Sequence, residues 1–115
     1  ISADQKQIKA ASMIGAEVVE LHSGSYCDYH AEGRFKERDD ELERLREMAS
    51  YAHSIGLEVH VGHGITYETV APVASFPEVM ELNIGHFLIG EAIFLGLRTA
   101  ISKMRRLIDD ARTAL

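Results

Sequence analysis

The sequence predicts an α/β fold with a parallel sheet, amounting to a little under half of a (β/α)8 barrel. Three observations predict it. Short β-branched runs alternate with helical patterns in the order α-β-α-β-α-β-α-α, the signature of parallel strands with right-handed crossovers. Each strand-like run ends in a turn containing glycine and histidine. The chain has 115 residues against roughly 250 for a complete barrel, and no linker or low-complexity segment divides it. Residues 1–115 are therefore expected to be one partial barrel domain. A small three-stranded α/β domain is the other architecture of this length, but its sheet edges would need covering.

The elements follow in chain order. Ser2-Ala3-Asp4-Gln5 reads as a capping box, with Ile8, Ala11 and Ile14 at helical spacing and Gly15 as the stop. Glu17 to His22 is short and β-branched, a strand. Gly24 to Arg38 is polar and weakly periodic and reads as a long loop, a type of segment that often forms a lid. Asp39 or Asp40 then caps a helix carrying Leu42, Leu45, Ala49 and Ala52 on one face, stopped by Gly56. Leu57 to Val61 is the second strand, and Gly62-His63-Gly64-Ile65 turns out of it. Thr66 is the expected cap of a shorter helix running to about Ser75. Pro77 precedes the third strand, Glu81 to Ile84, and Gly85-His86 turns into an apolar segment, Phe87 to Leu95. After Gly96 a last helix places Leu97, Ile101, Met104, Ile108 and Ala111 on one side.

Composition narrows the function. Apolar residues make up 46% and charged residues 26%, ordinary for a globular domain, so a collagen, a disulfide scaffold and a disordered tail are excluded. A formal charge of −6 disfavours a general binder of nucleic acid or anionic membrane, yet leaves room for one local phosphate site. No apolar run approaches the ~20 residues that span a bilayer. The single Cys27 has no partner for an internal disulfide, which fits a reducing, cytoplasmic compartment. The opening residues do not read as a signal peptide. They start directly on a helix without a methionine, which suggests a chain cut from something longer.

In parallel α/β folds, chemistry gathers where strands lead into helices. Here those ends are Glu20-Leu21-His22-Ser23-Gly24, Val61-Gly62-His63-Gly64 and Ile84-Gly85-His86. Strand alternation puts Val18, Glu20 and His22 on one face and Val19 and Leu21 on the other, with Glu58 and His60, and Glu81 and Asn83, joining the polar side. A solvated sheet face is the bland reading, and parallel sheets are usually covered on both faces. Glu20 inside a barrel fits a base, a hydrogen-bond anchor or an electrostatic stabiliser, against an ion pair to some further element. His63, between two glycines, fits acid–base work, metal ligation or a structural turn; no compact ligand motif favours the metal. Gly64 and Gly85, with His86 opening a helix, fit a phosphate site made by two consecutive strand ends. Cys27 has no base beside it in the sequence, and His53 reads as an ordinary helix-surface residue.

At these residues the chain resembles the C-terminal part, about strands 6–8 and their helices, of the pyridoxine 5′-phosphate synthase family of barrel enzymes. The carriers are Ile1 to Gly15 as the helix after strand five, Glu20-Leu21-His22-Ser23-Gly24 for E-I-H-T-G, Gly62 to Tyr67 for G-H-G-L-T-Y, and Glu81 to His86 for E-L-N-I-G-H. The resemblance covers essentially the whole chain. It implies a condensation of 3-amino-2-oxopropyl phosphate with 1-deoxy-D-xylulose 5-phosphate, giving pyridoxine 5′-phosphate, phosphate and water. It implies no metal and no organic cofactor, phosphorylated small molecules as partners, and a homo-oligomer, octameric in the family. His63 matches the family's proton donor and Glu20 its transition-state stabiliser; Gly64, Gly85 and His86 match positions that bind the amino-ketone phosphate. Two phosphorylated substrates need two anion sites, and one is visible in this stretch. The family's remaining acid–base groups, and an arginine that grips phosphate, fall in the earlier strands, so these residues alone are not expected to turn over. The alternatives are another phosphate-handling barrel enzyme, such as a sugar-phosphate epimerase or isomerase, and a non-catalytic assembly module.

Overall fold

A computed structural model describes residues 1–114. Three five-residue parallel strands form its sheet in the order β1 (Val18–His22), β2 (Glu58–Gly62), β3 (Val79–Asn83). Six helices connect and flank them: α1 (Gln5–Met13), α2 (Gly24–Ala31), α3 (Phe35–Ser54), α4 (Val70–Ala74), α5 (His86–Leu95) and α6 (Leu97–Thr113). The architecture is α/β, an arc of the (β/α)8 barrel.

The alternation read from the sequence divides the sheet into two faces. Val19, Leu21, Val59, Val61 and Val79 are buried under the helices, packed with Ile8, Leu45, Ala49, Ala52, Val70, Val73 and Phe76. Each fully buried aliphatic of this kind is worth about 1.5–3 kcal/mol. The opposite face carries Glu20, His22, Glu58, His60, Glu81 and Asn83, and is largely open. Register sets these in rows across the strands: Glu20 beside His60 beside Glu81, then His22 beside Gly62 beside Asn83. His60 sits between two carboxylates, Nε2 at 2.6 Å from Glu58 and Nδ1 at 3.0 Å from Glu81.

Ile1 lies against the outer edge of β1. Its ammonium donates to the Glu20 carbonyl at 2.6 Å, and its carbonyl accepts from the His22 N–H at 2.8 Å. Bonding to the residues on either side of Leu21 is the pattern of a parallel ladder, so Ile1 occupies a strand position beside β1.

Five local expectations need correction. The stretch from Gly24 to Arg38 is helical, with α2 over Gly24–Ala31 and α3 starting at Phe35, so it is no long loop or lid. The periodic signal is weak because α2 buries only Gly24, Tyr26 and Cys27, all in its first half, and is held by tertiary bonds rather than an apolar stripe. Asp39 and Asp40 lie inside α3, where Asp40 pairs with Lys36 at 3.2 Å. The first helix is capped by Asp4, whose carboxylate accepts from the Lys6 N–H at 3.2 Å, and not by Ser2. Thr66 does not cap α4 either: the Thr69 hydroxyl accepts from the Thr66 N–H at 2.9 Å, and the helix shrinks to Val70–Ala74. In α6 the buried side chains are Ala100 and Met104, with Leu107 and Ile108 packed beside them, whereas Leu97 and Ile101 face outward.

Candidate functional site at the carboxyl ends of the strands

Glu20, His63, Gly64, Gly85 and His86 line one cavity of about 480 Å³, together with His22, Ile65, Thr66, Asn83, Ile84 and Phe87. All five residues singled out in the sequence are thus brought together. Strand ends deliver them from three directions: Glu20 and His22 from β1, the Gly62-His63-Gly64 turn from β2, and Asn83 to Phe87 from β3 into α5. A second hollow lies along the amino-terminal part of β3 and α6, lined by Val79, Met80, Arg105 and Arg112, away from the carboxyl ends of the strands.

The turn after β2 is built against preference. His63 has φ +86° and Gly64 φ +79°, two successive residues in the left-handed region. For a non-glycine residue such as His63 this costs about 1 kcal/mol or more. Ser23, fully buried at the end of β1, holds the turn in place. Its hydroxyl lies 2.8 Å from the Gly62 carbonyl and 2.7 Å from the His63 carbonyl and shares its proton between them, while its N–H donates to Gly62 at 2.8 Å. A Cβ at Gly64 would stand 3.2 Å from Cys27 Cβ, a tight contact on top of the left-handed backbone. Glycine is therefore favoured at 64 chiefly by conformation, with packing adding to it.

Glu20 is held from across the sheet, accepting a hydrogen bond from the Asn83 amide. Between the two strands, Gly62 leaves the space this bond needs, since a Cβ on Gly62 would fall 2.6 Å from Glu20 Oε1. His63 is flanked by His22, the ring centroids 4.2 Å apart with planes inclined by 27°. At Gly85 the backbone is open, with nothing within 4 Å of where a Cβ would sit. His86 then starts α5, whose first turn has no side-chain cap and whose first residues line the cavity, leaving N–H groups there that can bind an anion. Phe87 is fixed there by an edge-on contact with Tyr67, centroids 4.7 Å apart.

Cys27 lies beneath the turn, its Sγ 3.6 Å from the Thr69 hydroxyl. Burial pushes this thiol above its ordinary range, the Thr69 contact only partly opposing it, so it is no ready nucleophile. Among the described residues, no group of three or more His, Cys, Asp or Glu is arranged to hold a metal ion. No helix among them is long and apolar enough to cross a membrane. Three contributors escaped the sequence reading. Ser23 and Gly62 were visible only as strand-end residues, and the Asn83 bond to Glu20 needed the strand register. Polar His22 and Asn83 at equivalent depth on the two strands that flank Gly62 are the signal that could have found Asn83.

A parallel (β/α) arc whose strand ends carry an acid, imidazoles and glycine turns has the architecture of part of a (β/α)8 barrel. Comparison with known sequences gives the particular family. Residues 1–110 match the family model described as "Pyridoxal phosphate biosynthesis protein PdxJ", and the chain belongs to that family. Similar proteins named pyridoxine 5′-phosphate synthase include those of Ruegeria pomeroyi, 70% identical over 97% of this chain, and Roseobacter denitrificans, 69% identical over 97%. That of Caulobacter vibrioides is 55% identical over the full chain. In each case the chain spans 45% of the relative's length.

Proposed function

We propose that the chain supplies the carboxyl-terminal part of a pyridoxine 5′-phosphate synthase. The reaction is the condensation of 3-amino-2-oxopropyl phosphate with 1-deoxy-D-xylulose 5-phosphate to pyridoxine 5′-phosphate, phosphate and water. The observation that carries this reading is the convergence of Glu20, His63, Gly64, Gly85 and His86 on one cavity in a chain of this family.

The chemistry assigns each a task. Ring closure joins an amine to a ketone, so water must leave and protons must move. His63 donates a proton to a departing oxygen, and Glu20 stabilises the positive charge that develops as the carbon–nitrogen bond forms. The Glu20 carboxylate, held by Asn83, stays aimed at the reacting centre without reorganising. Gly64, Gly85 and His86 bind the phosphate of the amino ketone through open backbone and the first turn of α5. The second phosphorylated substrate needs further basic groups, which the reading places in the rest of the enzyme. These residues alone are inactive, and the working protein is a cytoplasmic homo-oligomer without metal or organic cofactor.

The test joins this chain to the remaining part of the Ruegeria pomeroyi relative and follows pyridoxine 5′-phosphate formation. The joined enzyme turns over, the chain alone does not, and His63→Ala and Glu20→Gln each lower kcat by about 100-fold or more. Unchanged rates in both variants would remove the assigned roles. Turnover of sugar phosphates instead would move the chain to an isomerase or epimerase.

A further inference from the structure

We infer that His22 is a positioning residue for His63, a flat platform that sets the plane in which the His63 imidazole meets the substrate. The inference rests on the reading of His63 as proton donor.

An imidazole that transfers protons usually has its orientation set by a hydrogen bond from one ring nitrogen to a carboxylate or carbonyl. Among the described residues no side chain or backbone group hydrogen-bonds a nitrogen of His63. The ring is instead stacked on His22, at 4.2 Å between centroids and 27° between planes. The His63 backbone, at φ +86°, lies in the left-handed region, which limits the staggered rotamers open to the side chain. With no hydrogen bond to a ring nitrogen, the contact with His22 sets the ring among them.

His22 is itself fixed. The Gly24 N–H donates to its Nδ1 at 3.2 Å, which leaves that nitrogen as an acceptor and places the proton of the neutral ring on Nε2. Gly24 closes the stack from the α2 side. A Cβ there would fall 2.6 Å from His22 Cε1 and 2.9 Å from His63 Cδ2, so the two rings and the Gly24 backbone occupy one close-packed corner. The chain of support runs from the first turn of α2 through His22 to His63. It leaves both nitrogens of His63 free for substrate, which a hydrogen-bonded orienter would not.

The joined full-length enzyme provides the test, with His22→Ala, His22→Asn and His22→Phe. Asparagine keeps an acceptor for the Gly24 N–H without a ring; phenylalanine keeps the flat ring without the acceptor. His22→Ala and His22→Asn lower kcat by about 10- to 100-fold with KM for both substrates within about threefold, the size of effect that loss of orientation gives. His22→Phe restores kcat to within about fivefold of the parent. The carbon-bound proton signals of the His63 ring report the stack directly: they lie upfield in the parent and in His22→Phe and move downfield in His22→Ala. A kcat within twofold of the parent in His22→Ala, a loss confined to KM, or a His22→Phe enzyme as slow as His22→Ala would each overturn the inference. If His63→Ala retains full activity while the ring-proton shifts behave as stated, the proton-donor reading has failed and the stack has not.

Discussion

The side-chain amide of Asn83, on β3, donates to the carboxylate of Glu20, on β1, across a strand that lies between them. The bond exists because the intervening position of β2 is Gly62, level with His22 on one side and Asn83 on the other. Asn83→Ala leaves Glu20 with no fixed partner on this face. Its expected effect in the joined enzyme is a kcat lowered about 10- to 100-fold. Asn83 is exposed, so the thermal midpoint stays close to the parent's. Steady-state kinetics beside a melting curve checks both, and an unchanged kcat would remove Asn83 from the site.

Gly62→Ala tests the same relationship from the other direction. The added methyl would lie 2.6 Å from Glu20 Oε1 and 3.1 Å from both Asn83 Cβ and the Asn83 carbonyl. The carboxylate is at the end of a movable side chain, but the Asn83 backbone is not. Gly62 has an ordinary strand conformation, so a shift of a few tenths of an ångström between β2 and β3 admits the methyl, and the far-ultraviolet circular dichroism is preserved. Activity falls at least as far as in Asn83→Ala, because Glu20 is displaced as well as released. A fully active Gly62→Ala enzyme would show that the carboxylate does not need its present place.

Ser23→Ala removes the hydroxyl that ties the end of β1 to the turn carrying His63. The Gly62 carbonyl keeps the Ser23 N–H as donor, whereas the His63 carbonyl loses its good one, leaving only a Cys27 Sγ contact at 3.9 Å. A buried polar group left in this state costs about 1–3 kcal/mol, and this carbonyl is part-buried, which places the loss at the lower end of that range. The expected result is a stability loss in that range, by denaturant titration, with a drop in kcat as the left-handed turn at His63 relaxes. Ser23→Thr keeps the hydroxyl and recovers part of both.

These three residues mark the boundary of what the sequence discloses. The strands and the polar inner face were legible because Val19 and Leu21, or Val59 and Val61, alternate with Glu20, His22, Glu58 and His60, and that period has one structural meaning. Five cavity residues were legible because glycine and histidine cluster at strand ends. Helix α2 was not legible: Tyr26 is held by its hydroxyl on the Thr69 carbonyl, 3.0 Å away and 43 positions distant in sequence, and no local pattern records that. Nor did Thr66 and Thr69 reveal which of them serves the other, since both are good caps and only the fold of the turn decides. The Asn83 bond and the space at Gly62 depend on register between strands, which is a property of the assembled sheet.

Alkaline pH should expose the α2 anchor. Burial pushes the Tyr26 hydroxyl up to about 12, with the neighbouring Cys27 adding to the effect and Arg38 opposing it. An acid raised in the folded state keeps its proton there while the unfolded chain releases it, so stability is complete below the unfolded value of 10.0 and declines as pH rises toward 12. The decline is steepest between those two values. Tyr26→Phe removes both this dependence and the bond to Thr69. At pH 9 the parent is therefore more stable than Tyr26→Phe by about 1 kcal/mol. Between pH 10 and 12 the order reverses. Cys27, displaced in the same direction, adds a decline of the same sign that both proteins share. Denaturant midpoints for the pair at pH 9 and at pH 11.5 measure the crossing, and parallel stabilities at both pH values would mean that Tyr26 ionises as freely in the folded chain as in the unfolded one.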